Sequence, residues 1–137
     1  MFPTRHICLG LAALAALAAC KPAEMPGASE GRKLYVENCA MCHGPAGLGD
    51  GPFAGGLNPP PKNLTLIQVR NGGDFPRARV LSTLDGYTRV DLPGHNMPEF
   101  GALLQGDPVP VDTGDGKPTP TPRKLAALLE YLESIQQ

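Results

Sequence analysis

The string Cys39-Ala40-Met41-Cys42-His43 is the most informative stretch of this 137-residue chain. Two thiols three positions apart, followed directly by an imidazole, have the C-x-x-C-H spacing of a c-type haem attachment. At the end of a helical turn, both thiols can reach the two vinyl groups of one porphyrin, and the histidine then presents a ring nitrogen to the iron. The string therefore predicts one covalent haem c, held by Cys39 and Cys42, with His43 as an iron ligand.

Three other interpretations of this string remain open at this point. A structural zinc site needs four ligands, and beyond the string the exported chain offers only His95 and carboxylates. A thioredoxin-type dithiol is expected beside a β-α-β pattern, which the sequence lacks. The third interpretation is a structural disulfide between Cys39 and Cys42.

A second axial ligand is expected from further along the chain. Met97 is the only methionine downstream of His43, and it stands in the segment Pro93–Gly101, PGHNMPEFG. Gly and Pro on both sides predict a tight loop, which suits a thioether laid against an iron face. A Met/His pair would raise the reduction potential relative to two histidines. The alternatives are His95 as the ligand, or Met97 as an ordinary core side chain.

The N-terminus is typical of an export signal. Arg5 and His6 precede the apolar run Ile7–Ala19, which is too short to cross about 30 Å of hydrocarbon comfortably and fits the h-region of a signal peptide. The run ends Leu17-Ala18-Ala19-Cys20, which resembles the lipobox of bacterial lipoproteins. That resemblance implies a signal peptide over 1–19, a lipid on Cys20, a tether over 20–28 and a domain over 29–137. The alternatives are an ordinary cleavage site and a buried Ala/Leu helix.

Composition narrows the class of protein. Twelve Lys and Arg stand against thirteen Asp and Glu, a balance that gives no reason to expect nucleic acid as a partner. The chain has no Trp, four Phe and three Tyr, but 17 Gly and 16 Pro. A chain this poor in large apolar side chains builds a core of its own with difficulty, and a buried planar cofactor would supply the missing apolar bulk.

Cys39 to His43 near the start of the domain and Met97 in a late loop resemble the class I cytochrome c family, over about Ser29 to Gln137. Gly31, Tyr35 and Cys39 recur at four-residue spacing, as in the first helix of that family. Tyr131 resembles the aromatic residue that packs near that glycine in the last helix.

The resemblance also implies an acceptor for the Nδ1–H of His43. In the family a proline follows the haem histidine and accepts this hydrogen bond through its carbonyl oxygen, which orients the ring. The sequence Gly51-Pro52 suggests Pro52 for this role, with Pro45 as a rival.

The expected fold is all-α, with a few helices wrapped round one haem as in class I cytochromes c. Helices are predicted from about Ser29 to Cys39, over Leu64–Val69, over Arg77–Leu84 and over Arg123–Ile135, where Leu residues line one face. No segment alternates strongly enough to predict a sheet. A Gly/Pro-rich insertion, Gly106–Pro120, departs from the family pattern, and its role is not predicted.

The resemblance implies an electron carrier rather than an enzyme, and no catalytic triad or acid–base pair is apparent. We expect redox proteins as donor and acceptor, associated with a membrane, no small-molecule substrate, and a location on the periplasmic side of a bacterial membrane. The alternatives are a fixed haem subunit of a respiratory complex and a haem enzyme or gas sensor with an open sixth site. The scattered basic residues are expected to be solvated surface groups. Alternatively, Arg70, Arg79, Arg89 or Tyr87 could bind a haem propionate, and Lys62 could lie on a docking face.

Overall fold

The computed structural model describes residues 24–87 and 97–137. The predicted signal peptide over 1–19, the lipid site at Cys20, residues 21–23 of the tether, and the candidates Arg89 and His95 lie outside the described residues. Within the described ranges, no helix is long and apolar enough to cross a membrane.

Five α-helices and one β-hairpin make up the regular structure of these residues. The helices are α1 Ala28–Asn38, α2 Ala40–His43, α3 Ile67–Arg70, α4 Arg77–Asp85 and α5 Arg123–Ser134, and the strands are β1 Pro108–Asp112 and β2 Pro118–Pro122. Short 3-10 helices lie at Ala54–Gly56 and Leu64–Leu66. The four predicted helices are confirmed, with ends that differ by a few residues.

Helices α1 and α5 pack closely against each other because Gly31 has no side chain. A Cβ atom at Gly31 would overlap the Ala127 carbonyl and lie 2.7 Å from Cβ of Tyr131. The rings of Tyr35 and Tyr131 stack obliquely beside this crossing, with centroids 5.1 Å apart. The predicted packing of Tyr131 near Gly31 is confirmed, and the crossing fixes where the end of α1 lies.

The buried face of α5 forms the centre of the hydrophobic core. Leu125, Leu128 and Leu129 are at most 1% exposed, and Leu132 follows on the same face. Leu81 and Leu84 of α4 are buried against this face in the same cluster. This spacing at three and four residues is the helical pattern expected from the sequence.

The prediction of an all-α fold is wrong in one segment, because Gly106–Pro120 contributes an antiparallel hairpin. Val109 pairs with Thr121 and Val111 pairs with Thr119. The two valines are buried, whereas the alternating residues Pro108 and Pro110 face solvent. The many prolines hid this alternation, because proline within a run argues against a strand.

The prolines are compatible with the hairpin because of its register. Pro110 lies opposite Pro120 and Pro108 opposite Pro122, so the N–H groups that bind across the ladder come from the valine and threonine positions between them. In an antiparallel pair, alternate residues direct their backbone groups away from the partner strand. The prolines occupy those positions, where no donor to the ladder is lost.

Candidate haem-binding site

The C-x-x-C-H string folds as a single turn directly after α1. The N–H groups of Cys42 and His43 both donate to the Cys39 carbonyl, at 3.1 and 2.9 Å. This turn brings both thiols and the imidazole to the same side of the chain, as the spacing predicted. Cys39 is 7% exposed, Cys42 is partly buried, and both are free thiols.

The loop after His43 folds back over the string and fixes it. Gly49 N–H donates to the His43 carbonyl at 2.8 Å, and Phe53 N–H donates to the Met41 carbonyl at 2.9 Å. Gly51 lies directly on this turn, and a Cβ atom there would come within 2.7 Å of the Ala40 carbonyl oxygen. The loop therefore holds the string through backbone hydrogen bonds, which leaves the side chains of the string available to a ligand.

Tyr35 fixes the same turn from α1. Its hydroxyl donates to the Gly44 carbonyl at 2.6 Å, and its ring is fully buried. Burial raises the pKa of this phenol, since ionisation in the core is unfavourable. The hydroxyl therefore stays protonated and keeps donating over the physiological pH range.

The imidazole of His43 is oriented by the Lys62 carbonyl, 3.1 Å from Nδ1. The expectation that Pro52 would accept this bond is wrong, and so is the alternative Pro45. Both prolines belong to the loop behind the string, whereas Lys62 returns along the side on which the ring lies. A hydrogen bond from Nδ1 leaves Nε2 as the nitrogen that is free to bind a metal.

Burial also selects the form of His43 that a metal requires. Removal of the ring from water lowers the pKa of His43, and the hydrogen bond to Lys62 opposes this only in part. The imidazole is therefore held in its neutral form, with a lone pair available at Nε2.

Cys39 does not have the properties of a redox-active dithiol. Burial raises the pKa of the Cys39 thiol to about 11, and the nearby Cys42 contributes to the same increase to a smaller extent. Reactive cysteines of the thioredoxin type have a lowered pKa. The thioredoxin-type interpretation of the string therefore loses its chemical basis.

The segment that carries Met97 is attached to the end of α4. Phe100 N–H donates to the Leu84 carbonyl at 2.9 Å, and Gly101 N–H donates to the Asp85 carbonyl. These bonds satisfy carbonyl groups that the helix end leaves without a partner. Phe100 is 4% exposed in the core, so Met97 is presented from an anchored chain.

Two adjoining cavities separate the C-x-x-C-H turn from the Met97 segment. They measure about 250 and 280 Å³. Cys39, His43 and Met97 line both of them, and Cys42 lines the first. The remaining lining is largely apolar, with Leu57 and Pro59 in the first cavity and Ile67, Val80 and Leu132 in the second. The four residues predicted from sequence are therefore brought together at one crevice.

The chemistry of these residues fits a haem and fits zinc poorly. The crevice combines two unpaired thiols, a neutral oriented imidazole, a thioether and apolar walls, which suit a flat apolar macrocycle with a central iron. Within residues 24–87 and 97–137, no group of three or more His, Cys, Asp and Glu side chains gathers in a way that could hold a metal ion.

Comparison with known families agrees with this geometry. The family model described as "Cytochrome c" matches residues 28–136. The chain belongs to the cytochrome c family. Its cofactor is therefore covalently attached haem c, and in general terms this cytochrome c is an electron carrier that works in redox chains with protein partners. No curated protein and no solved structure matches the chain significantly.

Lys62 has a role in this cytochrome c crevice that sequence reasoning missed. Lys62 was considered only for a docking face, but its carbonyl orients His43. No side-chain pattern could reveal that role, because the acceptor is a backbone oxygen. Arg70 and Arg79 line the second cavity, whereas Tyr87 is 88% exposed and lines neither cavity.

Proposed function

We propose that this cytochrome c is a periplasm-facing, lipid-anchored carrier of single electrons, with one haem bound through Cys39 and Cys42 and an iron ligated by His43 and Met97. The observation that carries the proposal is that His43 and Met97 approach the same crevice from separate segments. Both line both cavities. The His43 ring is oriented by the Lys62 carbonyl, and the Met97 segment is attached to α4 through Phe100 and Gly101.

The bound haem supplies a one-electron couple at its iron, and the protein controls the surroundings of that couple. Apolar side chains such as Leu64 and Leu132 limit the access of water to the crevice. The oriented His43 ring and the anchored Met97 segment keep both ligands in place in either redox state. A site that changes little on electron transfer has a small reorganisation cost, as a carrier requires.

The ligation is tested by Met97→Ala, with Met41→Ala as the matched control. Met41 lies between the two cysteines and is 46% exposed. In the oxidised protein we expect the weak absorption band near the red edge of the visible spectrum to be lost in Met97→Ala and kept in Met41→Ala. Persistence of the band in Met97→Ala would reject the thioether as a ligand and direct attention to His95.

The covalent attachment is tested by a spectrum of the denatured protein in pyridine. We expect the spectrum of a haem with two saturated thioether links in the wild type, and of a haem with one such link in Cys42→Ala. Pigment that is extracted by acidified acetone from the wild type would contradict the attachment.

A closed sixth site distinguishes the carrier from a haem enzyme or gas sensor. The reduced wild type should bind carbon monoxide slowly and incompletely, whereas Met97→Ala should bind it at once. Rapid and complete binding by the wild type would favour the sensor.

The lipid anchor and the mode of association need separate experiments. Mass spectrometry of the protein purified from membranes should find a lipidated Cys20 at the new N-terminus, and Cys20→Ser should release the protein. Size analysis after detergent solubilisation then separates a carrier, which migrates alone, from a fixed subunit, which migrates with large membrane proteins.

A further inference from the structure

The chain that leads into α1 is held against the folded domain. Pro26 is buried, although Met25 and Gly27 on either side of it are exposed. Arg123, the first residue of α5, donates through Nη1 to the Glu24 carbonyl. The domain therefore holds the chain from Glu24 onward, before the first helix begins.

Arg123 uses all three nitrogen atoms of its guanidinium for this attachment. Its Nε and Nη2 donate to the two carboxylate oxygens of Glu30, at 3.2 and 2.9 Å. Both side chains are partly exposed, so this ion pair contributes little to the stability of the domain. A paired Arg–carboxylate contact has strict geometry, however. Its effect is to direct the remaining nitrogen, Nη1, towards Glu24.

The held segment and the C-x-x-C-H turn lie at opposite ends of the α1–α5 pair. The contacts between the two helices run in the same order along both: Glu30 with Arg123, Gly31 with Ala127, and Tyr35 with Tyr131. Both helices therefore start at one end of the pair, and the C-x-x-C-H turn follows α1 at the other. The 11 residues of α1 separate the two ends by about 16 Å, at a rise of ~1.5 Å per residue.

We propose that Arg123 keeps the lipid tether short, so that the starts of α1 and α5 face the lipid surface and the C-x-x-C-H turn points away from it. This inference rests on the proposed function, in particular on a lipid at Cys20. The chain from Cys20 to Glu24 spans at most about 14 Å, at ~3.6 Å per residue. Redox partners would then reach the haem from outside the bilayer, as proteins that project from the membrane do.

Release of Glu24 would lengthen the tether without a change in the crevice. The unattached chain would then run from Cys20 to Ala28 and could span about 29 Å, at ~3.6 Å per residue. On a longer tether the domain can turn, and the haem can come close to the lipid surface. Arg123, Glu30 and Glu24 line neither of the two cavities, so the haem spectrum should not change.

The test uses the lipidated, haem-loaded protein on phosphatidylcholine vesicles whose headgroups carry a fluorophore that the haem quenches by energy transfer. Such transfer falls steeply with distance, so the closest positions of the haem dominate the signal. At equal protein per vesicle, we expect Arg123→Gln to quench the fluorophore more strongly than the wild type. The matched control is Arg32→Gln, which removes the same charge from an exposed position on α1 and should quench like the wild type.

Glu30→Gln decides the question if Arg123→Gln fails to mature, because it leaves Arg123 in place and removes the carboxylate that directs the guanidinium to Glu24. We expect stronger quenching in this variant too. Quenching by Arg123→Gln equal to that by Arg32→Gln, or by Glu30→Gln equal to the wild type, would overturn the proposal. A mature wild type whose Cys20 carries no lipid in mass spectrometry would instead overturn the anchor in the proposed function.

Discussion

Single residues of this cytochrome fix the haem-binding turn mainly through backbone carbonyl groups. Lys62 O accepts from His43, Gly44 O accepts from Tyr35, and Cys39 O accepts the N–H groups of the turn. The bond from His43 to Lys62 joins positions 19 residues apart, whereas the bonds to Cys39 O are local to the turn. A hydrogen bond of this kind contributes about 1 kcal/mol net, and its loss costs more when the partner left behind is buried.

Tyr35→Phe tests this contribution directly. The change removes the hydroxyl that donates to Gly44 and leaves the ring, so we expect the free energy of unfolding to fall by about 1 kcal/mol. Denaturant titration of the haem-loaded protein measures the change. The control is Tyr131→Phe, since Tyr131 is the buried ring that stacks on Tyr35 in the same core. An equal effect in both variants would contradict the role given to the hydroxyl.

At the scale of elements, the Met97 segment depends on α4 for its position. The segment returns along the C-terminal end of that helix, where Leu84 and Asp85 accept its N–H groups. Gly101 packs so closely on Asp85 that a Cβ atom would lie 2.7 Å from the Asp85 carbonyl oxygen. The buried ring of Phe100 completes the anchor.

Phe100→Ala is expected to affect both stability and iron ligation. Truncation of a buried phenylalanine costs about 3–5 kcal/mol, and a loosened segment should present Met97 less firmly. We therefore expect a weaker band near the red edge of the visible spectrum and faster carbon monoxide binding. Leu103→Ala is the matched control, because Leu103 lies in the same segment and is 65% exposed. A destabilised Phe100→Ala with an unchanged spectrum would separate the anchor from the ligation.

At the scale of the whole molecule, the crevice borders a single hydrophobic core. The α1–α5 crossing, α4 and the hairpin all contribute to that core, and the crevice lies between the C-x-x-C-H turn and the Met97 segment. The two cavities, of about 250 and 280 Å³, are partly open and lined largely by apolar side chains. Without a haem these side chains are exposed to water, and the burial that would stabilise the fold is lost.

The protein without its haem should therefore be poorly folded. We expect the haem-free double variant Cys39→Ala/Cys42→Ala to lose near-ultraviolet circular dichroism and cooperative thermal unfolding, while it keeps part of its helical signal. Met41→Ala, which leaves both thiols in place, should retain cooperative unfolding. A sharp transition in the haem-free variant would show that the α1–α5 core is sufficient without the cofactor.

The sequence alone determined the chemistry of this protein, because that chemistry resides in residue types at short spacing. Cys39, Cys42 and His43 lie within one turn, and the helical pattern of α5 is likewise local. Met97 was found by elimination among few methionines. The assignment of these side chains to iron and thioether bonds stays a prediction for the experiments above.

Only the tertiary structure decided which distant segments complete the crevice. The acceptor for His43 is Lys62 rather than Pro52, because a backbone carbonyl leaves no trace in the sequence and its position depends on how the loop returns. The hairpin in Gly106–Pro120 formed despite its prolines because the register sets them at positions that need no donor. Arg77 is partly buried and pairs with Glu130 and Glu133, whereas Arg70 and Arg79 are exposed and donate to neutral oxygens. Such a difference is created by folding.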